Sequence, residues 1–273
     1  MTWLHLFMHH FQHHPDLNEI LVCGKQPIRL ETSTQTKLRA NPFTTNKSMV
    51  LGLYQFAEQQ GSRLDYRQPF HGGLYRSKDR LFRWHAVVPP IADRGAIFSI
   101  RRQRFSDLDL SSFSMSDIFW KQILSSFRKK NHFLVIGATG SGKSSFLAAI
   151  LKEFVTLKRT LILESLPELW FDNPHWISLS EKLPDLENKG AVTISQLFEQ
   201  TLRLKPEVIV FGEIRSQAEW DTYIKARHTG HRTFATAHGH CRQDILSRFK
   251  TKSLSKTTII SLEKPRVTQV EIH

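Results

Sequence analysis

The residues best suited to chemistry stand at 137–144, GATGSGKS, which fits the pattern Gly-x4-Gly-Lys-Ser/Thr without a mismatch. Gly137, Gly140 and Gly142 allow the backbone to curl without Cβ clashes, so that successive N–H groups face phosphate oxygens. Lys143 has the length and charge to reach β- and γ-phosphates, and the Ser144 hydroxyl suits Mg2+. A helix starting near Lys143 would add its positive dipole end. The chemistry indicated is the gripping of a triphosphate.

Such a loop needs an acid at the end of a neighbouring strand, to hold metal or water. EVIVFGEIR at 207–215 supplies Glu213 directly after an apolar run, whereas Glu207 precedes that run and falls at its other end. LILESLPELW at 161–170 places Glu164 and Glu168 after another strand-like run, where a carboxylate could orient or deprotonate a water. TGHRTFATAHGH at 229–240 puts His231 and His238 around a short strand, placed to sense a γ-phosphate or to relay a movement. No Cys or carboxylate stands beside them at zinc spacing. The histidines at 9, 10, 13 and 14 read as the partly polar face of a helix.

The elements that must carry these residues are legible. FLVIG (133–137) is a short apolar strand, and Phe146, Leu147, Ile150, Leu151 and Phe154 follow at helical spacing. TLILE (160–164), EVIVFG (207–212) and FATAH (234–238) read as further strands. Ser116 and Asp117 offer a cap to a helix with Phe119, Ile123 and Phe127 on one face, and Thr193 with Gln196 forms a capping box. Strands alternating with helices predict an α/β unit with a mainly parallel sheet covered on both faces. Ahead of it, β-like runs at 19–23, 27–31, 83–88 and 96–101 alternate with turn-rich pieces such as HGG at 71–73. The expected organisation is a smaller domain over 1–105, a Ser/Asp-rich linker at 106–117 and a larger domain over 118–273.

With 273 residues, 40% hydrophobic and 23% charged, the chain has the size of two domains and an ordinary globular composition. Cys23 and Cys241 read as free thiols of a reducing compartment. The start lacks a basic n-region and no apolar stretch reaches membrane-span length, so the expectation is a soluble protein. A net charge of +13 draws anionic partners without choosing among lipid, nucleic acid and acidic protein.

Four segments in this order, GATGSGKSS, LESLPEL, LRLKPEVIVFGEIR and TGHRTFATAHG, resemble the secretion ATPase superfamily: Walker A, Asp box, Walker B ending in Gly-Glu, and His box. That superfamily includes type II and type IV secretion ATPases and type IV and Tad pilus motors. PDLNEILVCGKQPIRLE (15–31) and WHAVVPPIADRGAIFSIRR (84–102) resemble its front half, nearest the Tad and type IV secretion branches. The resemblance implies a RecA-like P-loop C-terminal domain, a smaller α+β N-terminal domain, and a homohexameric ring with nucleotide between the two domains. It implies ATP and Mg2+, bound by Gly137, Ala138, Thr139, Gly140, Ser141, Gly142, Lys143, Ser144 and Ser145, with Ser144 and Glu213 at the metal. By the same matching Glu168 is the Asp-box carboxylate, Glu213 the Walker B acid, and His231 and His238 the His-box pair. Arg83 and Arg101 match arginines that approach the phosphates.

The implied activity is ATP hydrolysis powering protein secretion, pilus assembly or retraction, or type IV transport. The implied place is the cytoplasmic face of the inner membrane, peripherally, against platform or channel proteins. There are departures. Ser165 stands where the Asp box usually has Asp, Arg232 and Thr233 follow His231 where Gly is common, and the tail beyond Arg248 is short. Two other readings stay open: a RecA-like nucleic-acid translocase, disfavoured by the lack of an aromatic-interleaved basic stripe, and a weakly hydrolysing assembly subunit.

Overall fold

The computed structural model describes residues 4–32, 34–77, 80–103, 109–169, 171, 173–182, 184, 189–251, 254–263 and 266–273. The chain divides into two units, Met1–Gln103 and Arg104–His273.

In the first unit, alternation of apolar and polar residues makes half-buried strands. The unit holds β1 (Leu17–Cys23), β2 (Ile28–Thr32), β3 (Thr36–Arg39), β4 (Phe70–Ser77), β5 (Arg80–Val87) and β6 (Ile97–Gln103). They form one antiparallel sheet in the order β3-β2-β1-β6-β5-β4. In β5, Phe82, Trp84 and Ala86 are buried while Arg83 and His85 take the other face. Helices α1 (Leu4–His13) and α2 (Asn46–Gln59) bring Phe7, Phe11, Met49, Leu53 and Phe56 to the same core. On α1 the rings of His9 and His13 stack at 3.9 Å, as one polar face of that helix.

The HGG of 71–73, expected in a turn, lies inside β4. Glycine is there for close approach: a Cβ on Gly72 would sit 2.6 Å from His85 Nδ1, and one on Gly73 would sit 3.2 Å from Trp84 Nε1.

The second unit holds α3 (Asp117–Arg128), β7 (His132–Gly137), α4 (Lys143–Val155), β8 (Thr160–Glu164), β9 (Trp176–Ser180), α5 (Ile194–Thr201), β10 (Val208–Ile214), α6 (Gln217–His228), β11 (Arg232–His238), α7 (Arg242–Arg248), β12 (Thr257–Glu263) and β13 (Arg266–Ile272). The sheet order is β13-β12-β7-β11-β10-β8-β9. Every pairing is parallel except β12 with β13. Alternate residues of the central strands feed two apolar layers. Phe133, Val135, Ile162, Val210 and Phe234 pack with α3 and α4. Leu134, Ile136, Leu163, Ile209 and Ala235 pack with α5, α6 and α7. The expected parallel sheet covered on both faces is present.

The caps follow the side-chain chemistry. Ser116 accepts from Phe119 N, and Thr193 and Gln196 make the full reciprocal box. Of the stretch read as a linker, 106–108 lie outside the described residues. Residues 109–117 are structured, with a 3-10 turn at Leu110–Ser112, a buried Phe113 whose ring meets Phe146 at 5.0 Å, and a bridge from Ser114 to Arg266. Beyond Arg248 the chain forms the antiparallel pair β12–β13. Among the described residues no helix is long and apolar enough to cross a membrane, and no three His, Cys, Asp or Glu gather as a metal site.

Candidate nucleotide-binding site

Parallel strands deliver their C-terminal ends to one edge, where open α/β sheets bind ligands. Here β7, β11, β10 and β8 are neighbours in that order. Gly137, His238, Glu213 and Glu164 therefore stand at adjacent strand ends, with His238 paired in register to Gly137.

The loop after β7 is shaped by its glycines. Gly140 and Gly142 have φ of 75° and 91°, left-handed values that L side chains resist, and Gly142 caps α4. A Cβ on Gly137 would lie 2.5 Å from both Leu262 O and Ser141 Oγ. The Ser141 hydroxyl is buried without a hydrogen-bond partner. Lys143 is buried and its Nζ donates to Ala138 O at 2.8 Å, within its own loop. Burial lowers the Lys143 pKa, while the nearby carboxylates of Glu213 and Glu168 raise it. A buried cation, an orphaned hydroxyl and a cradle that admits no Cβ fit a phosphate chain, and Ser144 is the first-turn hydroxyl beside it.

Three carboxylates answer the loop. Glu213 shares one oxygen with Arg215 Nε and the other with His238 Nε2 at 2.8 Å. Burial and the Lys143 charge lower the His238 pKa, so the neutral ring donates Nε2–H to Glu213. Glu168 and Ser165 line the cleft between the ends of β8 and β10, with Glu164, Leu166, Gly212, Glu213 and Arg215. Glu164 is almost fully buried and accepts from the backbone N–H groups of Glu168, at 3.2 Å, and Leu169, at 3.0 Å. Burial drives its pKa up to about 8 against those hydrogen bonds. A carboxyl that is protonated near neutrality in such a cleft is poised to hold or pass a proton.

The model of the family "Type II/IV secretion system protein" matches residues 78–263. The chain belongs to that family. A "Putative conjugal transfer protein" of Mycobacterium tuberculosis is 32% identical over 240 residues, covering 85% of this chain and 68% of that protein. The conjugal transfer protein TrbB of Rhizobium radiobacter is 31% identical over 156 residues, 55% of this chain and 46% of that one. Among solved structures, the pilus retraction motor PilT with bound ADP superposes with a TM-score of 0.68 at 18% identity, covering 96% of this chain and 78% of that one. The ATPase DotB of Legionella pneumophila gives 0.67 at 18% identity, with coverages of 94% and 76%. The fold is that of the RecA-like secretion ATPases.

Within this secretion-family unit, the structure gathers Gly137 to Ser145, Glu168, Glu213 and His238 at one edge. It does not bring His231 there. His231 precedes β11, roughly 20 Å from His238 at 3.3 Å per strand residue, and its Nδ1 meets Thr229 Oγ1 at 2.7 Å. Arg232, the departure beside it, donates to the carbonyls of Phe127 and Asn131 and stacks on the Phe127 ring, closing the end of α3. In the first unit, Arg83 and Arg101 are direct cross-strand partners, and Arg101 faces Glu19 on its other side.

Two site residues escaped the sequence reading. Arg215 engages Glu213, and Arg248 on α7 donates to His238 O at 3.1 Å and Arg215 O at 3.0 Å, tying the ends of β10 and β11. The first stands two residues from the acid and carried a usable signal. The second comes from a separate helix, and no spacing rule reaches it.

Proposed function

We propose that this chain binds Mg·ATP through residues 137–145 and hydrolyses it as the motor of a secretion, conjugation or pilus machine. The observation that carries the reading is the convergence of the glycine loop with Glu213 and Glu168 at one strand edge, both acids near enough to raise the Lys143 pKa. On binding, Lys143 exchanges Ala138 O for β- and γ-phosphate oxygens, and the loop N–H groups and Ser141 take the rest. Mg2+ held by Ser144 and Glu213 would neutralise phosphate charge. Glu213 must first release Arg215 or His238, or act through water, since both its oxygens are engaged. Glu168 and Glu164 flank the water, and Arg83 and Arg101 stabilise the charge developing on the γ-phosphate. His238 couples the nucleotide to β11, and His231, at the far end of that strand, transmits the movement to a neighbouring subunit.

The proposed assembly is a homohexamer acting on membrane platform or channel proteins, peripheral to the inner membrane on its cytoplasmic side. Relatives named for conjugal transfer and a fold neighbour named as a pilus motor support that setting. Ser165, a hydroxyl lining the cleft where Asp is usual, favours slow turnover as the second reading.

Phosphate release with Mg·ATP, compared between wild type and Glu213→Gln, tests the proposal. The expected result is measurable turnover, a drop of roughly a hundredfold or more in kcat in the variant, and preserved ADP binding. Absence of nucleotide binding by the wild type would remove the motor reading. Binding with turnover no higher than that of the variant would leave the assembly-subunit reading instead.

A further inference from the structure

The edge opposite the phosphate loop has its own chemistry. Among the described residues four non-glycine positions adopt left-handed backbone, and all four are lysines: Lys130 at φ 57°, Lys205 at 53°, Lys250 at 45° and Lys256 at 53°. A side chain is strained there, and glycine or asparagine is the usual occupant at the end of a helix. Three of the four lead into strands that start at this edge. Lys256 precedes β12, Lys130 precedes β7 and Lys205 precedes β10, while Lys158 precedes β8. These strands and β11 lie side by side in the order β12-β7-β11-β10-β8, so the cations form a row of roughly 20 Å at about 4.8 Å per strand. Arg128, Lys129 and Arg203 are exposed beside them.

At one end the row turns apolar. Leu157 is 81% exposed, Leu202 40% and Leu204 38%, all on two turns laced together by Arg159 Nε to Leu204 O at 2.7 Å and Glu207 N to Arg159 O at 2.8 Å. The Glu207 carboxylate in these turns is occupied by Lys158 Nζ at 2.8 Å and the Arg159 N–H at 3.0 Å. Projecting leucines set among lysines and arginines suit one kind of surface, which offers anionic headgroups over an apolar interior. A phosphodiester backbone has nothing for the leucines.

We propose that this edge docks the protein onto a lipid bilayer rich in anionic headgroups, with the leucines entering the headgroup boundary and the lysine row lying over the phosphates. Lysine at positions where glycine would relieve the backbone points to a role for the charge outside folding. A cation also favours a helix C-terminus, and the test separates the two roles. Binding needs no nucleotide, so its outcome is independent of whether the chain hydrolyses ATP.

The experiment is sedimentation of the full chain with phosphatidylcholine vesicles, with and without phosphatidylglycerol. Wild type should bind only the anionic vesicles, and less so as salt rises. The Lys130→Gly, Lys205→Gly, Lys256→Gly triple variant should lose affinity on the order of a hundredfold with an unchanged or higher Tm. Leu157→Gln with Leu202→Gln should weaken binding even at low salt. No binding to anionic vesicles, or equal binding by the lysine variant, would overturn the proposal. So would a fall in binding matched by a fall in Tm, which would make the lysines helix caps. Duplex DNA bound as tightly and untouched by the leucine changes would assign the row to nucleic acid instead.

Discussion

At the scale of single residues, Glu164 carries the largest consequence. Its carboxyl sits 4% exposed between β8 and β10, and burial lifts its pKa from 4.5 to about 8. The folded chain therefore holds a proton that the unfolded chain gives up, and the linkage has a definite sign. Below pH 4.5 both states are protonated and the group is neutral to stability. As pH rises from 4.5 to 8 the unfolded state ionises first, so nucleotide-free protein loses stability across that window and levels off above it. Glu164→Gln should remove this loss, and the Tm difference between variant and wild type should widen from pH 4.5 to 8. Parallel Tm curves would mean that the carboxyl is ionised in the fold. The sequence singled out this residue together with Glu168, because an acid after an apolar run is visible in the letters. What separates them is burial, since Glu168 lies in the open cleft while Glu164 is closed over by backbone N–H groups. That difference is a property of packing and has no signature in spacing. The same holds for the histidine pair, symmetric in the motif and placed by β11 at opposite sheet edges.

At the scale of elements, the site depends on how closely β8 and β10 approach. Gly212 permits it: a Cβ there would lie 2.5 Å from Glu164 Cγ and 2.7 Å from Oε1. Gly212→Ala should cost about 1–3 kcal/mol through overpacking and depress turnover by displacing Glu164 from the Glu168 and Leu169 N–H groups. Adding Glu164→Ala removes the obstructing atoms. The pair should then be strongly non-additive, with the double variant more stable than additivity allows. Thermal denaturation of the four proteins reads this directly, and additive Tm losses would show that the sheet absorbs the methyl elsewhere. Central strands such as β7, β8 and β10 were legible because burial on both faces writes a continuous apolar run. The half-exposed strands β9 and β13 carry mixed patterns and were not. Helix α6 buries Trp220, Tyr223 and Ala226 within a mostly polar sequence, too thin a stripe to declare itself. HGG lies in a strand rather than a turn for a related reason: glycine marks close approach as readily as it marks a turn, and the side chains of His85 and Trp84 decide between them.

At the scale of the whole molecule, the residues named in the proposed function fall in both units. The phosphate loop and its acids belong to one, and the arginine pair of β5 and β6 to the other. Arg83 and Arg101 are cross-strand partners on β5 and β6, and Glu19 on β1 stands opposite Arg101. In the proposed function both arginines are assigned to the triphosphate, whose share of charge on the γ-phosphate changes on passing to the transition state. If the arginines act there, their removal should depress kcat far more than it raises the Kd for ADP, which lacks the γ-phosphate. Arg83→Ala and Arg101→Ala should each lower kcat by roughly tenfold to a hundredfold. The double variant should fall short of the product of the two losses, because the groups serve one charge. Single-turnover hydrolysis alongside ADP titration measures both quantities. Variants that turn over at the wild-type rate, or that lose ADP binding in the same proportion as kcat, would place the pair outside the chemistry. The arginines would then be read as a charged sheet face.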